Sequence, residues 1–136
     1  MQLNPYLFFD GRCAEAFRFY ERSLGGKITM MITHAEAPMA EPAAPEWRDK
    51  IVHARLEVKG NLLMGSDAPP PNYEASKGYS ISIMVEEPIE AERIFNALKE
   101  NGTVRMPLQE TFWAVRFGML IDQFGIPWMV NCEKSA

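Results

Sequence analysis

Only two cysteines, Cys13 and Cys132, occur in the 136 residues. They fit no metal-ligand spacing and are too few for a disulfide framework. Neither has a neighbouring histidine, so nucleophilic thiol chemistry is not expected. Both read as packing residues of a protein in the reducing cytoplasm. An excess of positive charge is also missing. Lys and Arg number 14 against 18 Asp and Glu, a net charge of −4. That balance argues against nucleic acid and anionic membrane as partners, because both reward a basic face. No apolar run approaches the ~20 residues of a membrane span, and no basic segment leads into an apolar signal core, so export is not expected. A Gly-x-Ser-x-Gly elbow is lacking, as is a strand–Gly-rich loop–helix that would cradle a nucleotide-like cofactor.

What is present is a globular composition, 47% hydrophobic and 24% charged, with a length that suits one domain or two small halves sharing it. The chain, read as a single domain 1–136, repeats a pattern: module one spans about 1–67 and module two about 78–136. In the first, residues 4–9 form an apolar strand. Asp10 offers an N-cap, and Cys13, Ala16, Phe17, Tyr20 and Leu24 follow at helical spacing until Gly25-Gly26 stops the helix. Such a helix needs a sheet beneath it. Residues 27–33 are the next strand. Residues 34–50, rich in Pro and Ala, read as a loop or lid, with His34 at its solvated edge. Two strands, 50–58 and 61–66, then meet through the turn Lys59-Gly60.

Residues 67–77 separate the modules. In the second, 78–85 alternates with Ile81, Ile83 and Val85 on one face and Ser80, Ser82 and Met84 on the other. Pro88 opens a helix at its permitted first position, with Ala91, Ile94, Phe95 and Leu98 as its stripe. Asn101-Gly102 closes it. Strand 103–109 and a hairpin of 112–121 with 126–132, turning through Asp122-Gln123-Phe124-Gly125, complete the module. Each half is strand–helix–strand–strand–strand, an α+β organisation. Met64 follows Gly60 by four residues as Met129 follows Gly125.

Hairpin arithmetic assigns faces. A two-residue turn at Lys59-Gly60 sets Met64 opposite Arg55 and Ser66 opposite His53. His53, Arg55, Glu57, Leu62, Met64 and Ser66 then share one face, and Val52, Ala54, Leu56, Val58, Leu63 and Gly65 the other. The apolar set suits the helix. The mixed set suggests a cleft with convergent polar groups. Pairing Ile121 with Ile126 in the last hairpin sets Arg116 opposite Asn131 and Gly118 opposite Met129. Val115, Phe117 and Met119 fall on the apolar side with Trp128 and Val130.

These segments, PYLFFDG, AFRFYERSLGG, KIVHARLEV, LLMGSDAPP and PLQETFWAVRFGMLIDQFGIPWMVNCE, resemble the PhnB-like branch of the vicinal oxygen chelate superfamily, which includes glyoxalase I, bleomycin- and fosfomycin-resistance proteins and extradiol dioxygenases. The resemblance covers essentially the whole chain. It implies two βαβββ modules whose curled mixed sheets surround a cleft, helices outside, and usually a homodimer. It also implies metal-ligand positions on the first and fourth strands of each module. Those positions correspond here to Asn4 or Pro5, Met64, Ser80 and Met129, poor substitutes for the usual imidazole and carboxylate ligands. Relatives of this branch have also been described as demethylubiquinone methyltransferases.

His53 is the sharpest candidate, a general base or hydrogen-bond donor on the mixed face, with a satisfied sheet histidine as the bland alternative. Arg55, Glu57 and Arg116 could bind an anion or pair among themselves. Glu110 could lend a carboxylate. Tyr6, Phe8, Phe112 and Trp113 could stack on a planar ligand or lie in a core or dimer contact. The expected ligand-binding set is therefore Tyr6, Phe8, His53, Arg55, Met64, Ser66, Ser80, Ser82, Glu110, Arg116, Met129 and Asn131. The leading expectation is a small-molecule binding protein with no cofactor. The alternatives are a lyase, isomerase or dioxygenase with a divalent metal at a non-standard site near His53, Glu57 or Glu110, and a homodimeric interaction module.

Overall fold

A computed structural model describes residues 1–38 and 44–134. The chain forms two compact units, Met1–Ala75 and Ser76–Ala136. In the first, β1 (Tyr6–Phe9), α1 (Cys13–Leu24), β2 (Lys27–Thr33), a short 3-10 turn at Pro45–Trp47, β3 (Ile51–Val58) and β4 (Asn61–Asp67) follow in order. The second has β5 (Ile81–Met84), α2 (Pro88–Leu98), β6 (Thr103–Gln109), β7 (Ala114–Ile121) and β8 (Pro127–Glu133). Each unit has a four-stranded sheet, ordered β1-β4-β3-β2 and β5-β8-β7-β6. The first strand of each runs parallel to the last, and the remaining neighbours are antiparallel. The fold is the α+β arrangement of paired βαβββ modules. Part of the expected loop, residues 39–43, lies outside the described residues. Among those described, no helix is long and apolar enough to cross a membrane.

The helices cover one face of each sheet, as the apolar sets require. Cys13, Ala16, Phe17, Tyr20 and Leu24 of α1 are buried, as are Ala54, Leu56 and Leu63 of the sheet. Truncating Leu56 would cost roughly 2–5 kcal/mol. Gly65 marks a close approach of helix and sheet: a Cβ there would meet Phe17 at 2.8 Å. In the second module α2 packs its stripe of Ala91, Ile94, Phe95 and Leu98 on β7 and β8. Gly118 plays the part of Gly65, since its Cβ would meet the Phe95 ring at 2.7 Å.

The N-terminus of α1 corrects one expectation. Asp10 does not cap it; the N-cap position is Arg12, which makes no side-chain cap bond, and Asp10 instead pairs with the Arg12 guanidinium at 3.4 Å. The cap comes from β4. Asp67 Oδ1 accepts from the backbone N–H of Gly11 at 3.0 Å and of Cys13 at 2.9 Å, while Oδ2 accepts from Ile51 N–H at 2.8 Å. One buried carboxylate thus ties the β1–α1 turn, the helix start and the head of β3 together. Burial, with the Asp67 charge adding to it, pushes the Cys13 thiol pKa up, which suits an inert packing residue.

The first hairpin pairs in the expected register, with Val58 opposite Asn61 and Arg55 opposite Met64. Lys59 and Gly60 both have positive φ, 47° and 83°, as a tight turn matched to strand twist needs. The second hairpin is one residue out of the expected register. Ile121 pairs with Pro127, Met119 with Met129 and Gly118 with Val130. Asp122 is the cause: its N–H donates to Ile126 O at 2.9 Å, extending the ladder and shortening the loop to three residues. Asp122 Oδ1 also accepts from the N–H of Phe124 and Ile126, and Oδ2 from Trp128 Nε1 at 2.7 Å. Trp128, placed on the apolar side of the hairpin by the sequence, is 1% exposed in the core.

Replacing Asp67 by Ala leaves three backbone N–H groups without their acceptor, each worth about 1–3 kcal/mol when buried. Asp67→Ala should therefore lower the urea midpoint by the equivalent of roughly 3 kcal/mol or more, and Asp67→Asn, which keeps one acceptor oxygen, by less. An Asp67→Ala midpoint indistinguishable from that of the parent protein would contradict this role.

Candidate functional site

On the side of the first sheet turned away from α1, four strands bring together residues that differ in kind. β1 sets Tyr6 beside Met64 and Phe8 beside Ser66. β3 sets Arg55 opposite Met64, with His53 two residues earlier on the same side. β2 contributes Met30 opposite Arg55 and Ile32 opposite His53. Alternation along β1 explains the division: Leu7 and Phe9 are buried, whereas Tyr6 is 37% and Phe8 52% exposed.

The polar groups of this face form a chain. Arg55 Nε donates to His53 Nε2 at 3.2 Å, and His53 Nδ1 lies 3.1 Å from the Tyr6 hydroxyl. A guanidinium has no acceptor and keeps its protons. Nε2 must therefore accept, which assigns the imidazole hydrogen to Nδ1 and makes the Tyr6 oxygen its acceptor. The phenolic hydrogen of Tyr6 is then free for another partner. The Tyr6 and His53 rings stack at 5.7 Å, and Tyr6 and Phe8 lie 5.2 Å apart. Both nitrogens of His53 are engaged, so its arrangement is that of an orienting link rather than of a free base. Its partners are Arg55, two residues along its own strand, and Tyr6 of β1.

The second sheet presents the same ladder positions with other side chains. Ser82 lies beside Met129 and Met84 beside Asn131; Met119 faces Met129 and Phe117 faces Asn131. Where the first sheet has Tyr6, Arg55 and His53, the second has Ser82, Met119 and Phe117. Phe117 and Met119 were expected on the helix side, and the one-residue register change brings them here. The signal was the side chain of Asp122, which could brace a three-residue loop. The same change removes Arg116: it pairs with Cys132 on the α2 side, and its Nε contacts Glu92 Oε1 at 3.3 Å. Ser80 precedes β5, and Glu110 follows β6 and pairs with Lys134 at 3.5 Å. His34, expected to be solvated, is partly buried, its ring 6.5 Å from that of Trp47.

The register also revises the metal-ligand positions. The residue beside Met64 is Tyr6 rather than Asn4 or Pro5, and the residue beside Met129 is Ser82 rather than Ser80. Met64 N–H donates to Pro5 O at 3.1 Å, so Pro5 meets β4 through its backbone. Two thioethers, a phenol already hydrogen-bonded and a hydroxyl do not fit a divalent metal of the zinc or iron kind. Among the described residues no three His, Cys, Asp or Glu side chains are grouped as a metal site.

Comparison with known proteins agrees with this architecture. A family model described as 3-demethylubiquinone-9 3-methyltransferase matches residues 1–131. Protein PA1353 from Pseudomonas aeruginosa is 52% identical, with a TM-score of 0.91 and 99% of each chain covered. The PhnB protein from Bacillus cereus is 22% identical, with a TM-score of 0.80 over 97% of this chain and 99% of that one. A glyoxylase/bleomycin resistance protein/dioxygenase domain from Frankia sp. EAN1pec shares the fold at 12% identity, with a TM-score of 0.66 over 98% and 95% of the two chains.

Since both hydrogen bonds of His53 lie at an exposed site, water can replace the imidazole when it is removed. His53→Ala should change the unfolding free energy by less than about 1 kcal/mol. A fall in melting temperature of several degrees would instead make His53 a structural residue.

Proposed function

The chain belongs to the 3-demethylubiquinone-9 3-methyltransferase family, and from that premise we propose that it binds a small molecule on the open face of its first module, without a divalent metal. The observation that carries this reading is the Arg55–His53–Tyr6 chain, which holds the Tyr6 O–H as an oriented donor on a face that also carries the exposed Phe8 ring and a permanent cation. Such a surface favours a flat ligand bearing an acceptor oxygen: the rings take its plane, Tyr6 donates to the oxygen, and Arg55 offsets negative charge on it. His53 and Arg55 act as positioning residues for the Tyr6 hydroxyl.

The family description names a methyl transfer, and the residues present do not favour a nucleotide-like methyl donor. The strand-to-helix turn after β1 is the place where helix N–H groups would cradle such a group. There the N–H of Gly11 and Cys13 already bind Asp67. Two buried free thiols, Cys13 and Cys132, suit a reducing cytoplasm.

The test uses 2-naphthoate as probe and protein dialysed against a chelator. Titration calorimetry should show saturable binding that Tyr6→Phe weakens by about tenfold, the worth of one hydrogen bond to a charged group at the low end of its range. Absence of saturable binding, equal affinity in Tyr6→Phe, or binding restored only by added metal would refute the reading.

A homodimer is favoured by a separate observation. Phe112 is 88% exposed and lies edge-on to Trp113, itself 41% exposed, with ring centroids 4.7 Å apart, an apolar pair suited to burial against a second copy. Sedimentation at micromolar concentration should give the mass of two chains, and Phe112→Asp that of one. A single-chain mass for the unmodified protein would count decisively against self-assembly.

A further inference from the structure

One row of side chains crosses the whole first sheet on its open face. The register sets Tyr6, Met64, Arg55 and Met30 side by side, one from each strand. Met64 therefore has a phenol on one side and a guanidinium on the other, with neighbouring Cβ atoms about 5 Å apart. Both neighbours hold unused donors. The Tyr6 hydrogen is free because its oxygen accepts from His53, and Arg55 commits only its Nε, to the same imidazole. Among the described residues Arg55 makes no ion pair. A thioether is a weak acceptor and leaves these donors unanswered. A sulfoxide oxygen is a strong one. Met129 holds the equivalent ladder position of the second module and is half-buried like Met64. It stands between Ser82 and Met119, with no cation beside it.

We propose that Met64 is a site of reversible oxidation by a hydroperoxide, and that its sulfoxide, held by Tyr6 and Arg55, closes the open face of the first module to ligands. In this step the sulfur lone pair attacks one peroxide oxygen and the O–O bond breaks. The sulfur keeps that oxygen and is oxidised by two electrons. The other oxygen is reduced and leaves with the hydroperoxide's proton, as water or an alcohol. Negative charge grows on the departing oxygen, where a positioned N–H or O–H donor lowers the barrier. The new sulfoxide oxygen then takes up the same two donors, which are the ones a ligand needs. Methionine sulfoxide reductases return the thioether, so the closure is reversible. The closure rests on the ligand reading of the first module; the reactivity of Met64 does not.

Dilute hydrogen peroxide, followed by peptide mass spectrometry over time, tests both parts. Met64 should gain oxygen about tenfold faster than Met129, the worth of one hydrogen bond to a charged group. It should also precede Met84, although Met84 is 62% exposed. Arg55→Gln should slow Met64 to the rate of Met129 without changing Met129 itself. Oxidised protein should lose its affinity for 2-naphthoate, and sulfoxide reductase should restore it. Rates that follow exposure, with Met84 first and Met64 no faster than Met129, overturn the proposal. So does an unchanged Met64 rate in Arg55→Gln, or full naphthoate affinity after Met64 is converted. If the untreated protein does not bind 2-naphthoate, the ligand reading fails, while the oxidation rates still decide whether Met64 is the reactive site. Should Arg55→Gln fail to fold, the comparison of Met64 with Met129 and Met84 in the unmodified chain decides the matter.

Discussion

The carboxylate of Asp67 holds the first module in its working shape. It stands at the end of β4 and accepts from three backbone N–H groups, two at the entry to α1 and one at the head of β3. Backbone donors at a helix start have no partner within the helix, and Ile51, beyond the last β3–β4 pair at Ala54 and Gly65, is in the same condition on that side. One side chain answers both needs. The path of the chain after β1 is thereby fixed, which sets α1 over the apolar face and leaves Tyr6 and Phe8 on the opposite side. The second module uses a related device at a different place. Asp122 gathers two loop N–H groups and the indole of Trp128, and so sets the register of β7 on β8.

That register decides the chemistry of the second open face. With Asp122 drawn into the ladder, Phe117 and Met119 turn away from α2 and Gly118 turns toward it. The glycine is then required, because Phe95 occupies the space its side chain would fill. The two modules therefore share a ladder but not a surface. Position for position, Tyr6, His53 and Arg55 give way to Ser82, Phe117 and Met119, and Ser66 gives way to Asn131. A repeat that keeps its backbone bonds while exchanging its open-face side chains can present one polar and one apolar surface without changing its core, since the helix-facing residues are untouched.

The sequence by itself determined the elements, their order, and which stripe of each helix is buried. Periods of 3.6 and 2 are local properties, visible wherever one face of an element meets a core. It determined the first hairpin too, because a two-residue turn with a glycine leaves only one pairing. Tertiary structure alone decided the helix cap, since Asp10 is the local acceptor the sequence offers and only the parallel pairing of β1 with β4 brings the distant Asp67 to the N–H groups. It decided the second register, where a side chain closing on its own loop outweighed the simple count of turn residues. It also decided the partners of His53. Tyr6 is forty-seven residues away in the chain, and no local pattern can announce a hydrogen bond whose two ends meet only when distant strands lie side by side.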